Sequence, residues 1–206
     1  VDDDVEDGDQ AYQIVFAVSS ADPEFDGLSV PSVDVTTADD DVADVVVNAL
    51  GEMVTSEDGS KQAQFEVCLQ TRPQGDVTVS MLCDVEGETS LDLSELTFTS
   101  ENWDTPQVVT VSGIDDAVVD GDQALNVCFT VACADDACYD GLAVDDLAVT
   151  NEDDDAAGVT VAPVTALETS EDGSTAQFSV VLDSEPAANV EIAVASSDNT
   201  EGTVSP

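Results

Sequence analysis

Residues 113–125 read GIDDAVVDGDQAL, in which four aspartates, Asp115, Asp116, Asp120 and Asp122, fall within eight residues. Further along stand Glu152, Asp153, Asp154 and Asp155, and earlier the pair Glu57 and Asp58. The whole chain holds two basic residues, Lys61 and Arg72, and no histidine. No lysine, arginine or histidine lies close enough in sequence to neutralise the 113–125 run. Carboxylates gathered within a few ångströms repel one another, and their pKa values rise. A hard divalent cation removes the conflict. Calcium takes roughly six to eight oxygens from carboxylates, backbone carbonyls and water, and its flexible geometry suits irregular loops better than magnesium's does. The DxDxDG loop of the EF-hand is absent. A solvated surface accounts for a single aspartate, but a cluster repeated at one sequence offset favours metal.

That offset sets the organisation of the chain. VDDDVEDGDQAYQIVF at 1–16 matches IDDAVVDGDQALNVCF at 114–129, and VTTADDD at 35–41 matches VTNEDDD at 149–155. TSEDGS at 55–60 recurs at 169–174, and AQFEVCL at 63–69 matches AQFSVVL at 176–182. The spacing holds at 113–114 residues, the length of a sandwich domain and too long for a solenoid repeat. The chain therefore divides into the back of one repeat (1–41), a whole repeat (42–155) and the front of a third (156–206). The start carries no secretory-leader pattern; the repeat arithmetic has it falling part-way through a repeat.

The elements that must position the acids read as strands. Phe65, Val67 and Leu69 alternate with polar or outward residues. So do Val77, Val79 and Met81, and then Leu125, Val127, Phe129 and Val131. LTFTS, VVTVSG and LAVTN continue the pattern. Alternation of period two, punctuated by Gly, Asp, Asn and Pro, predicts an antiparallel β-sandwich without helices. One strand ends at Gly113 and another begins near Ala124, so the aspartate run is the loop between them.

At these residues the chain resembles the Calx-beta domain. The resemblance rests on TSEDGSxAQF, GIDDAVVDGDQAL and the closing DDD, and it covers essentially the entire chain. LTFTSENWDTPQVVTVSGIDD is similar to tandem Calx-beta-like repeats of bacterial adhesins. The resemblance implies an immunoglobulin-like, all-β sandwich with calcium at one pole. It implies Glu57, Asp115, Asp116, Asp120, Asp153, Asp154 and Asp155 as side-chain ligands, with Val118 offering its carbonyl. Gln123 stands where the family has an acidic ligand, which removes one charge. The family's ligand after the third strand has no clear match; Asp84, Glu86 and Glu88 are candidates. In the first repeat the implied ligands are Asp2, Asp3, Asp7, Asp39, Asp40 and Asp41, with the Val5 carbonyl. Glu171 is the equivalent of Glu57 in the third.

Asp39–Asp41 and Asp153–Asp155 immediately precede new repeats, so calcium there would stiffen the junctions into a rod. The expected protein is a segment of a long extracellular filament, surface layer or adhesin. Its partners are calcium ions, neighbouring repeats of the same chain and other copies in a fibre. The alternatives are an adhesive or carbohydrate-binding module and a calcium sensor like that of sodium/calcium exchangers. A carbohydrate binder needs an aromatic platform, yet aromatics make up 4% of the chain, and Trp103 reads as a cover for the sandwich edge.

Five cysteines, with no CxxC and no histidine, disfavour zinc and fit disulfides in an oxidising compartment. Cys133 and Cys138, flanking ADDA, are expected to pair. Cys68 and Cys128 point outward from opposite sheets, and strand parity opposes a Cys83–Cys128 bond. A formal net charge of −45 excludes phosphate backbones and anionic membranes as partners. No apolar run approaches the roughly 18–20 residues of a membrane span. An apolar share of 42% is enough for folded cores despite the charge. Without histidine there is no Ser-His nucleophile, and no glycine motif carries a phosphate-loop lysine. The segment is not expected to be an enzyme.

Overall fold

The computed structural model describes residues 3–205, so the Asp2 expected as a ligand lies outside the described residues. The fold is all-β, and no helix occurs among the described residues. The middle segment builds two facing sheets. One runs β3 (Val45–Ala49), β5 (Gln62–Leu69), β9 (Gln107–Gly113), β7 (Thr89–Leu91). The other runs β4 (Val54–Ser56), β11 (Leu147–Glu152), β10 (Gln123–Ala132), β6 (Val77–Cys83), β8 (Glu95–Phe98). On either side lie two-stranded sheets, β1 (Gln10–Ile14) with β2 (Val33–Thr37), and β12 (Val159–Ala162) with β13 (Ser179–Leu182).

Alternation turns directly into a core. Phe65, Val67 and Leu69 on β5 and Val109 and Val111 on β9 are buried from one sheet. Val77, Val79 and Met81 on β6, Leu125, Val127 and Val131 on β10, and Val149 on β11 meet them from the other. The Phe65 and Phe129 rings cross between the layers edge to face, with centroids 5.9 Å apart. Trp103 packs against this core, as expected of an edge cover. The flanking pairs carry the same pattern on open faces: Ile14 is 46% exposed, whereas Val127, its counterpart at the repeat offset, is 0% exposed.

One pairing departs from the antiparallel expectation. β4 runs parallel to β11, with Val54 opposite Thr150 and Ser56 opposite Glu152. The leading segment starts in the first sheet as β3, crosses at residues 50–53 and continues in the second as β4 without reversing. This crossing brings the end of β4 beside the end of β11, at one pole of the sandwich.

All five cysteines are free thiols. The expected Cys133–Cys138 disulfide is not formed. Cys133 is buried, with its Sγ 3.3 Å from where a Cβ on Gly75 would stand. The Cys138 thiol lies 3.8 Å from the Glu6 carbonyl. Cys68 and Cys128 sit in opposite sheets, and Cys83 pairs in register with Val127 rather than Cys128.

Candidate metal centre

Where β4 ends, the Glu57 N–H donates to the Glu152 carbonyl at 3.1 Å, so Glu57 is tied to the first residue of the EDDD run. The following turn is built by Asp58. Its Oδ1 accepts from the Ser56 hydroxyl at 2.6 Å and from the Ser60 N–H at 2.8 Å. Those bonds, the Ser56 hydroxyl first, hold the Asp58 carboxyl down at about 2. Asp58 is thus consumed by the turn, and Glu57 is the member of the pair aimed at the pole. Asp172 repeats the arrangement with Ser170 and Ser174.

Glu57 is 4% exposed, and its Oε2 has no hydrogen-bond partner. Burial first, and then the charges of Asp116, Asp153, Asp120 and Glu88, push its carboxyl up from 4.5 to about 7. One carboxylate oxygen each from Glu57, Asp153 and Asp155 lie within 4.8 Å of one another. Asp155 Oδ2 is likewise buried and unpartnered. Burial raises the Asp155 carboxyl too, followed by Asp154, Asp153, Asp116 and Asp115. A buried carboxylate oxygen without a donor carries a desolvation cost, which protonation or a coordinated cation offsets. The donor set is all oxygen, which fits calcium and not a thiolate metal.

The loop that supplies the aspartates is locked to the terminal run. Asp153 Oδ2 accepts from the Gly121 N–H at 2.7 Å, and its Oδ1 accepts from the Asp155 N–H at 2.8 Å. Asp122 Oδ1 accepts from the Asp153 N–H at 3.3 Å, and Asp116 Oδ1 from the Val118 N–H at 2.7 Å. Gln123 turns back on the loop, its Nε2 donating to the carbonyls of Asp120 (3.2 Å) and Gly121 (3.0 Å). Gly121 takes φ +76°, a left-handed conformation that disfavours side chains. So Gln123, at the position of the missing acidic ligand, closes the loop by hydrogen bonding.

The first segment repeats these bonds and adds one, from the Asp7 N–H. Asp39 Oδ2 accepts from the Asp7 N–H (3.0 Å) and the Gly8 N–H (2.6 Å), and its Oδ1 from the Asp41 N–H (3.0 Å). Asp9 Oδ1 accepts from the Asp39 N–H at 3.1 Å, and Asp3 Oδ1 from the Val5 N–H at 3.1 Å. Gln10 donates to the Asp7 and Gly8 carbonyls. Gly8 takes φ +74°. Asp3, Val5, Asp7 and Asp39–Asp41 line a cleft of about 350 Å³. Burial and the charges of Asp39, Asp40, Asp3 and Asp4 raise the Asp41 carboxyl.

Of the expected ligands, Glu57, Asp153 and Asp155 converge closely. Asp116 and Asp120 lie near enough to act on Glu57, and Asp115 and Asp154 near enough to act on Asp155. Val118 stays at the loop apex, exposed. One residue at this pole escaped the reading of the acids. Asn151 is fully buried; its Oδ1 accepts from the Thr55 hydroxyl at 2.8 Å and its Nδ2 donates to the Glu88 carbonyl at 3.0 Å. Nδ2 also lies 3.4 Å from Glu57 Oε1 and from Glu88 Oε2. Glu88 is thereby the member of the Asp84, Glu86, Glu88 group that reaches the centre, whereas Asp84 is bound to Asn126. Asn151 aligns with Thr37, so the repeat itself gave no signal for it.

No protein-family model matches the chain, and no curated protein matches it. Among solved structures, domains 4 and 5 of the S-layer protein SbsC align with 72% of this chain and 77% of that chain, at 12% identity and a TM-score of 0.31.

Proposed function

We propose that the chain is a calcium-binding stretch of a tandem-repeat structural protein of the cell exterior, with Calx-beta-like repeats whose junctions calcium makes rigid. The observation that carries the reading is the lock between aspartate loop and terminal aspartates, which occurs twice at corresponding residues. In the complete unit it ends on two buried, unpartnered carboxylate oxygens, Glu57 Oε2 and Asp155 Oδ2. Bound calcium would supply the positive charge that this pole lacks.

The residues that would hold it in the middle unit are Glu57, Asp116, Asp120, Asp153 and Asp155, with Glu88 at the rim. Asp115, Asp154 and the Val118 carbonyl complete the set that the resemblance implies. Asp3, Asp7, Asp39, Asp40, Asp41 and the Val5 carbonyl are their counterparts. An extracellular setting supplies the ion at concentrations that weak, exposed sites need. No helix of the described residues is long and apolar enough to cross a membrane. Isothermal titration with calcium tests the reading. Saturable heat whose stoichiometry falls in the Asp153→Asn/Asp155→Asn variant is the expected result; no binding at millimolar calcium would refute it.

A further inference from the structure

The loop after β5 in the middle unit is held from inside the sandwich. Tyr139, buried, binds Thr71 three times through its hydroxyl. It accepts from the Thr71 N–H (3.1 Å), shares a bond with the Thr71 hydroxyl (2.7 Å) and donates to the Thr71 carbonyl (2.7 Å). Asp136, also buried, accepts from the Gln74 N–H at 2.9 Å. Pro73 has no N–H. Across residues 71–74 one backbone donor is left over, the N–H of Arg72. It donates to the Asp4 carbonyl at 2.6 Å, in the acidic loop of the preceding segment.

The same bond recurs one repeat later. Glu185, which is Arg72 at the repeat offset, donates its N–H to the carbonyl of Ala117, which is Asp4 at that offset, again at 2.6 Å. Val118 and Glu185 form an isolated parallel bridge there. Proline follows the donor in both copies, as Pro73 and Pro186. The donors carry opposite charges, and the acceptors are Asp and Ala. Backbone groups, not side chains, are what the two junctions share.

We propose that the loop after β5 is a docking socket for the acidic loop of the preceding repeat, so that each repeat carries a tongue at one pole and a socket at the other. The partner it fits is a further copy of this repeat. Such a contact is heterologous and propagates in one direction, which makes an open array. Side chains then grade the junctions. In the first, Glu6 accepts from the Ala43 N–H, and its carbonyl meets the Cys138 thiol. In the second the position of Glu6 is Val119, whose side chain cannot accept. This socket uses no metal ligand side chain, so it stands apart from the calcium reading.

The test is the scalar coupling transmitted through a hydrogen bond, measured by NMR on the full chain in calcium. Couplings from the Arg72 nitrogen to the Asp4 carbonyl carbon and from Glu185 to Ala117 are expected, beside those of the β5–β9 ladder. Tyr139→Phe should weaken the first and leave the second unchanged. Ladder couplings without either junction coupling would overturn the proposal, and a coupling at one junction only would overturn the shared socket. The wild-type spectrum decides this even where the variant fails to fold.

Discussion

Glu57 concentrates the electrostatic problem of the molecule in one side chain. Its folded pKa of about 7 lies above the 4.5 of an ordinary glutamate, so between those values the fold holds a proton that the unfolded chain has lost. Stability linked to that proton is present at low pH and falls as pH rises through the window. The calcium-free protein should melt progressively lower from roughly pH 5 to pH 8, and Glu57→Gln should flatten that slope. The same substitution should weaken calcium binding about tenfold or more, since it removes a charged ligand. Melting in EGTA that is flat over this range, or that rises, would contradict the account. Gly113 makes a second test. An added Cβ would overlap the Ser56 carbonyl and stand 2.6 Å from Asn151 Oδ1. Gly113→Ala should cost about 1–3 kcal/mol by overpacking, read from chemical denaturation. The thiols make a third: denatured under non-reducing conditions, a chain should show all five as reactive, and a count of three would reveal a disulfide and contradict this.

At the scale of elements, β4 and β11 position the centre, and Asn151 pins them to the loop before β7. Asn151→Ala leaves the Thr55 hydroxyl and the Glu88 carbonyl without their buried partner. A loss on the order of 3 kcal/mol is expected, together with weaker calcium binding, measured by urea unfolding and titration. An unchanged midpoint would mean that water replaces the amide. The strands were legible because period-two alternation is a consequence of burying one face, and the inward residues of β5, β6 and β10 fell where the pattern put them. The loop between Gly113 and Ala124 was legible from its turn residues. The parallel partnership of β4 was not, because three residues carry too little pattern to reveal which sheet they join. Asn151 was hidden for a related reason: a buried amide is identified by its partners, which lie 63 and 96 residues away in the chain. The Cys133–Cys138 pairing rested on proximity in sequence, which does not fix the direction in which two side chains turn.

For the whole molecule, 47 acidic residues against two basic ones make self-repulsion the main threat to compactness. The chain places the densest acids at the poles where one segment passes into the next. Lys61, one of the two basic residues, is spent on Glu152 at 2.6 Å, beside the centre but outside it. Screening by salt softens the surface charge but reaches buried carboxylates poorly. A specific cation and a high-salt buffer should therefore act differently. The most direct test is thermal unfolding of the full chain in millimolar calcium and in EGTA at matched ionic strength. The account predicts a large rise in melting temperature with calcium, through binding to the folded state. The rise should shrink in the Asp153→Asn/Asp155→Asn variant. Equal melting in calcium and EGTA would contradict it and leave the acidic poles as hydrated surface.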